Sequence, residues 1–229
     1  MQMLEQAIGY TFRNKALLEQ AVCHSSYANE VLKDSMKSYE RLEFLGDAIL
    51  DFVATEYLFE NFGQMHEGEM SKLRAELVCE KSLVITSQAL KLNEYLKLGK
   101  GEELGGGRVR SSILADLVES IIAAIYLDSG FAEAKSFILR FVLSDPGLRV
   151  QAAADYKTTL QEWVQRKKDQ ILEYHLLDET GPEHDKMFYV SVTLNGETVG
   201  KGSGTSKKRA EQAAAEQAIR THFPDALLK

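Results

Sequence analysis

The run Glu40-Arg41-Leu42-Glu43-Phe44-Leu45-Gly46-Asp47 sets acids at helical spacing inside an apolar stretch. At about 100° per residue, Glu40, Glu43 and Asp47 fall in one narrow sector of a helix, while Leu42, Leu45, Ile49, Phe52 and Val53 gather opposite. Acids at this spacing ordinarily mark a face washed by water. Here the same sector continues through Leu50 and Ala54, with Phe44 and Ala48 at its flank, so the acid face is expected to be covered. A second run, Leu114-Ala115-Asp116-Leu117-Val118-Glu119-Ser120-Ile121-Ile122-Ala123-Ala124-Ile125, is apolar nearly all round, the pattern of a buried helix. It nonetheless carries Asp116 and Glu119 one turn apart.

An unpaired ionised carboxylate in apolar surroundings costs several kcal/mol, so such groups are paired, protonated or bound to a cation. No lysine or arginine lies within the second run, and Arg108, Arg110 or a more distant residue would have to fold back to pair its acids. Joining the two runs would place Glu43, Asp47, Asp116 and Glu119 around one point. That all-oxygen cluster suits a hard divalent cation such as Mg²⁺, with Mn²⁺ as substitute, and not zinc. An ion held this way can activate water and stabilise the leaving oxygen of a phosphodiester. Glu67, in the turn His66-Glu67-Gly68-Glu69, has the reach to serve a second ion, whereas His66 reads as a surface loop residue.

Outward from these runs, helical periodicity dominates the amino-terminal part, over 14–22, 39–61, 70–90, 112–127 and 132–142. The seam is expected at Ser144-Asp145-Pro146-Gly147, because Pro-Gly ends a helix and the patterns on either side differ. Beyond it the order reads helix (157–167), strand (171–178), strand (186–194), strand (197–203) and helix (207–221), with Asn195-Gly196 as a hairpin turn. The expected architecture is multidomain: an all-α domain over 1–147, a linker over 148–154 and a small α+β (α-β-β-β-α) domain over 155–225.

Composition sets the frame. The 229 residues suffice for one large core or two modest ones, and three prolines exclude a proline-rich chain. No apolar run of about 18 residues occurs. The start, Met1-Gln2-Met3-Leu4-Glu5-Gln6, also lacks the basic and apolar regions of a secretory signal. The expected setting is the cytoplasm, with no membrane partner and no small-molecule cofactor. Cys23 and Cys79 fit neither a disulfide framework nor a zinc spacing, and Cys23-His24 does not read as a nucleophile with its base, since helix neighbours point apart.

A net charge of −7 argues at first against a nucleic-acid partner. The charge is uneven, however, at −6 over residues 1–154 and −1 over 155–229, and Lys201 to Arg209 holds four cations and no acid. Lys207, Lys208 and Arg209 crowd the start of an alanine-rich helix, where the dipole prefers anions, and a bound phosphate would relieve the conflict. His184, at the tip Gly181-Pro182-Glu183-His184, could donate to a ribose hydroxyl or base edge, as could Gln161 and Glu162 on the preceding helix. Recognition of A-form RNA across its shallow minor groove uses contacts of this kind.

The residues 40–47 resemble the signature of the ribonuclease III family. Gly9-Tyr10-x-Phe12, His24-Ser25-Ser26, Glu67-Gly68-x-Met70-Ser71-x-Leu73-Arg74 and Ile113-Leu114-Ala115-Asp116-x-x-Glu119 follow in the family's order. The carboxy-terminal part resembles a double-stranded RNA-binding domain, through Lys157-Thr158-x-Leu160-Gln161-Glu162, Gly181-Pro182-x-His184 and Ser206-Lys207-Lys208-Arg209-Ala210-Glu211. The resemblance implies a homodimer of helical nuclease domains, each hydrolysing one strand of duplex RNA with Mg²⁺ to leave 5′-phosphate and 3′-hydroxyl ends. It implies Glu43, Asp47, Asp116 and Glu119 as catalytic metal ligands, Glu67 as a further ligand, Glu40 as an auxiliary acid and Phe44 at the dimer interface. Thr158, Gln161, Glu162, His184, Lys207, Lys208 and Arg209 would contact RNA. Substrates would include ribosomal RNA precursors and structured messenger RNA. Two departures are visible: Tyr39 stands where Asn is frequent, and Ala48 where Ser is frequent.

Two readings of other classes compete. A duplex-RNA-binding regulator that does not cut would use its acids structurally, and the four intact carboxylates argue against it. A small-nucleotide phosphohydrolase would hydrolyse free nucleotides without needing duplex character. A purely structural protein leaves the acids on apolar helices unexplained.

Overall fold

The computed structural model describes residues 1–166, 169–182 and 186–223. The chain forms two compact units, Met1–Ala153 and Ala154–Lys229. The first is helical: α1 (Gln2–Ile8), α2 (Lys15–Ala21), α3 (Ser25–Tyr27), α4 (Glu40–Asn61), α5 (Glu67–Val78), α6 (Glu80–Ala89), α7 (Lys100–Leu104), α8 (Ser111–Ser129), α9 (Phe131–Phe137) and α10 (Pro146–Ala153).

The apolar run becomes the core helix α8, with Ile113, Leu117, Val118, Ile121, Ile122 and Ile125 buried. Its buried Ser120 hydroxyl donates to the Ala21 carbonyl at 2.7 Å, so the hydroxyl keeps a partner inside the core. Along α8 lies α4, which buries Leu42, Ile49, Leu50, Val53, Ala54 and Leu58. A methyl group at Gly46 would lie 1.9 Å from the Glu119 carbonyl oxygen, so the two helices cross this closely only because Gly46 has no side chain.

Three stretches differ from the sequence expectation. The periodic segment 70–90 is two helices, α5 and α6, joined at Cys79, whose backbone is extended (φ −66°, ψ 160°). The break lets Leu77 and Leu83 both reach the core, and Ser82 Oγ donates to the carbonyl of Leu77 that the end of α5 leaves unpaired (2.5 Å). Within 132–142, α9 gives way to a π-helical turn over Ile138–Val142, whose Phe141 carbonyl accepts from Thr86 Oγ1 at 2.9 Å.

The third difference corrects the linker. Most of 148–154 is helix α10, not a tether. Pro146 is the first residue of that helix, where its missing N–H is not needed, and Asp145 Oδ1 accepts from Leu148 N at 3.0 Å. Arg149 is 3% exposed and donates Nη1 to Ser82 O (2.7 Å) and Ser82 Oγ (3.1 Å), and Nη2 to Thr86 Oγ1 (3.0 Å) and Phe141 O (2.6 Å). One buried guanidinium thus binds this short, alanine-rich segment to the helical unit.

The second unit has the expected order: α11 (Tyr156–Gln165), β1 (Leu172–Thr180), β2 (Met187–Leu194), β3 (Glu197–Gly204) and α12 (Lys207–His222), with an antiparallel sheet in the order β1-β2-β3. Asn195 and Gly196 take φ of 51° and 85°, the turn that matches strand twist. Leu160, Val164, Val190, Val192 and Ile219 form its core. Gly200 and Gly202 of β3 face α12 so closely that an added methyl would stand 2.3 Å and 2.2 Å from the backbone of Ala214. Alternate glycines on the strand and the buried Ala210, Ala214 and Ala218 on the helix are two halves of one contact. Among the described residues, no helix is long and apolar enough to cross a membrane.

Candidate functional site

The crossing at Gly46 places one turn of α4 against one turn of α8. Glu43 lies just before the crossing and Asp47 just after it, with Asp116 and Glu119 on α8. Glu43, Asp116 and Glu119 each offer a carboxylate oxygen within 4.8 Å of the others, and all three are half-buried. None of them forms an ion pair with a lysine or arginine among the described residues.

The electrostatics follow from that crowding. Burial, then Asp116, Glu40 and Asp47, push the Glu43 carboxyl up to about 7. Burial, then Asp47, Asp116 and Glu43, push Glu119 up to about 8. Burial also raises Asp116, against a hydrogen bond from Tyr39 that lowers it. A hard cation would relieve this mutual repulsion, and three carboxylate oxygens on two rigid helices fit such an ion.

Asp47 stands outside the trio yet acts on it, as the largest charge raising Glu119. It is exposed, and burial together with Asp51 raises its own carboxyl. Glu40 is exposed too and accepts from Ser38 Oγ at 3.3 Å. The expected covered acid face is therefore covered only in part. Glu67, the first residue of α5, is exposed, takes the Ser71 hydroxyl at 2.8 Å and is not brought into the trio. His66 donates its N–H to Glu69 Oε2 at 2.7 Å, a helix-start role and not a ligand's. The Cys23 thiol lies near the His24 carbonyl while the His24 ring engages Ser26, so the two side chains form no nucleophile–base pair.

Two residues enter the site to which the sequence reading assigned no role there, Tyr39 having stood out only as a departure from the family pattern. Tyr39, 2% exposed, donates its hydroxyl to Asp116 Oδ2 at 3.3 Å. Asp51, one turn beyond Asp47, raises both Asp47 and Glu119. The second was legible, since four residues along a helix is the same face; the first needs the fold, because Tyr39 and Asp116 lie far apart in the chain.

In the second unit Lys207, Lys208 and Arg209 are exposed at the start of α12, where Ser206 Oγ caps the helix by accepting from Arg209 N at 3.3 Å. Thr158, Gln161 and Glu162 share one face of α11, opposite the buried Leu160 and Val164. His184 lies outside the described residues. On α4, Phe44 is 82% exposed.

Known proteins share the two-part architecture. A family description, "Ribonuclease-III-like", matches residues 14–146, and "Double-stranded RNA binding motif" matches 156–222. Fold and site thus define a helical nuclease domain followed by a double-stranded RNA-binding domain. Ribonuclease 3 of Listeria monocytogenes is 49% identical over 218 residues, covering 94% of this chain and 95% of the relative. That of Anoxybacillus flavithermus is 50% identical, covering 94% and 91%. The solved nuclease domain of Campylobacter jejuni ribonuclease III, described as flexible in a region involved in dimer formation, matches with a TM-score of 0.58 and 44% identity. It covers 62% of this chain and 95% of that domain. The chain belongs to the ribonuclease III family and is an endoribonuclease.

Proposed function

We propose that the protein is a divalent-cation-dependent endoribonuclease that hydrolyses phosphodiester bonds of double-stranded RNA and leaves 5′-phosphate and 3′-hydroxyl ends. The observation that carries the reading is the trio Glu43, Asp116 and Glu119, whose oxygens converge within 4.8 Å and which no lysine or arginine pairs among the described residues. These residues, with Asp47 beside Glu119, would hold Mg²⁺, with Mn²⁺ in its place where supplied. When bound, such a cation supplies Lewis-acid stabilisation of charge on the phosphodiester and activation of water. Glu40 and Glu67 are assigned auxiliary roles, Glu40 through its charge on Glu43 and Glu67 from its exposed position as the first residue of α5.

The residues of the second unit supply grip. Lys207, Lys208 and Arg209 meet phosphates at a helix start, while Thr158, Gln161, Glu162 and His184 reach the minor groove. The exposed Phe44 is assigned to a homodimer interface, in line with the dimer-forming region described for the Campylobacter domain. The substrates in this reading include ribosomal RNA precursors and structured messenger RNA in the cytoplasm.

The test is incubation of the purified protein with an end-labelled RNA duplex, the matching single strand and a DNA duplex, each with Mg²⁺ or EDTA. Cutting of the RNA duplex alone, and only with Mg²⁺, is the expected result. Binding without cutting in Mg²⁺ would replace the nuclease reading with that of a duplex-binding regulator.

A further inference from the structure

We infer that Tyr39 is a positioning residue of the acidic site, its phenol hydroxyl orienting the Asp116 carboxylate toward the point shared with Glu43 and Glu119. The inference rests on reading that trio as the cation site.

Tyr39 is the residue on which α4 begins, and its own N–H donates to the Cys23 carbonyl at 2.8 Å. Its ring is buried among core side chains, a position that phenylalanine would fill equally well. The hydroxyl is the part that packing does not explain. A buried O–H without an acceptor is destabilising, and the acceptor here is Asp116 Oδ2 at 3.3 Å. A carboxylate has about four lone-pair sites, so one hydrogen bond fixes its rotation and leaves the others for a ligand.

The donor is itself held rigidly. The Tyr39 and His24 rings meet edge to face, at 5.7 Å between centroids and 67° between planes. His24 Nδ1 accepts from Ser26 N (3.1 Å) and pairs with Ser26 Oγ (2.8 Å), and Ser26 Oγ accepts from Gly99 N (2.9 Å). Two other stretches of chain, around residues 23–26 and at Gly99, therefore set the tyrosine ring before any ion arrives. Glu43 and Glu119 receive no such bond from a neighbouring side chain among the described residues, so Asp116 is the member of the trio with an assigned orientation. Hydrogen-bond partners of ligating carboxylates act by fixing the ligand, and their loss weakens affinity about 10–100-fold.

The experiment uses the full chain with Tyr39→Phe, which keeps the ring and removes only the donor. Two curves are read: Mn²⁺ binding to the protein without RNA, by calorimetry, and the Mg²⁺ dependence of duplex cleavage. The expected result is a Mn²⁺ dissociation constant raised about 10-fold. The half-saturating Mg²⁺ concentration should rise in parallel, with the full rate recovered at high Mg²⁺ and with RNA binding in EDTA and the melting temperature unchanged. In an Asp116→Asn background the same substitution should add nothing to the loss of Mn²⁺ affinity, because the two residues act as one unit. A Tyr39→Phe titration superimposed on that of the unsubstituted protein would overturn the inference. An unsubstituted protein that cuts duplex RNA equally well in EDTA would instead overturn the cation reading beneath it.

Discussion

At Glu119 the fold holds a carboxyl whose surroundings oppose its charge, with burial and three acids pushing it up to about 8. An unfolded glutamate titrates near 4.5, so between these values the folded chain binds more protons than the unfolded one. Stability of the cation-free protein is therefore present below that window and lost as pH rises through it, with Glu43 contributing in the same direction up to about 7. Glu119→Gln removes the larger part. In EDTA the variant should melt above the unsubstituted protein near pH 8, and the gap should close near pH 5. A pH-independent gap in melting temperature would contradict the assigned cause. Gly46 exerts its effect through geometry alone. Gly46→Ala drives a methyl group into the Glu119 carbonyl, and urea unfolding should report a loss of about 3 kcal/mol, the upper end of the usual overpacking cost. The acids of this pair of helices, Glu43, Asp47, Asp116 and Glu119, were legible as oddities on apolar stretches. Tyr39 was not, since its partner Asp116 is met only after the chain has folded back on itself.

The helices show where local pattern suffices and where it does not. The run 114–125 reads as a buried helix because every face is apolar, and α8 is the core element. The three strands and the Asn195-Gly196 turn are likewise visible in alternation and turn chemistry. The break at Cys79 and the helix α10 were not, because their causes are distant: Leu77 and Leu83 both seeking the core, and Arg149 finding acceptors on α6 and at Phe141. The start of α12 carries a prediction of its own. Lys207, Lys208 and the helix dipole present positive charge to solvent, so replacing both lysines with alanine should weaken duplex binding. The slope of log affinity against log salt should also become shallower by about 2, as measured by filter binding over a salt series. An unchanged slope would remove these lysines from the phosphate contacts.

For the whole molecule, the division of labour is between a helical unit that carries the converging acids Glu43, Asp116 and Glu119 and an α-β-β-β-α unit whose helix α12 starts on the exposed Lys207, Lys208 and Arg209. This explains how a chain of net charge −7 handles a polyanion: the positive charge is local, at one helix start, while the acids sit where a cation would neutralise them. In the proposed function the exposed Phe44, next to Glu43, would tie the site to assembly. Phe44→Ala should shift sedimentation toward monomer, and an unchanged dimer fraction would make the ring an ordinary surface residue. In the proposed function the converging carboxylates cut and the second unit holds. Glu119→Gln on one labelled RNA duplex separates the two, with cleavage followed in Mg²⁺ and binding followed in EDTA. Cleavage should fall by at least about 100-fold, the scale of losing a group that acts in the transition state, with binding unchanged. Retained cleavage, or binding lost together with cleavage, would contradict the proposed function.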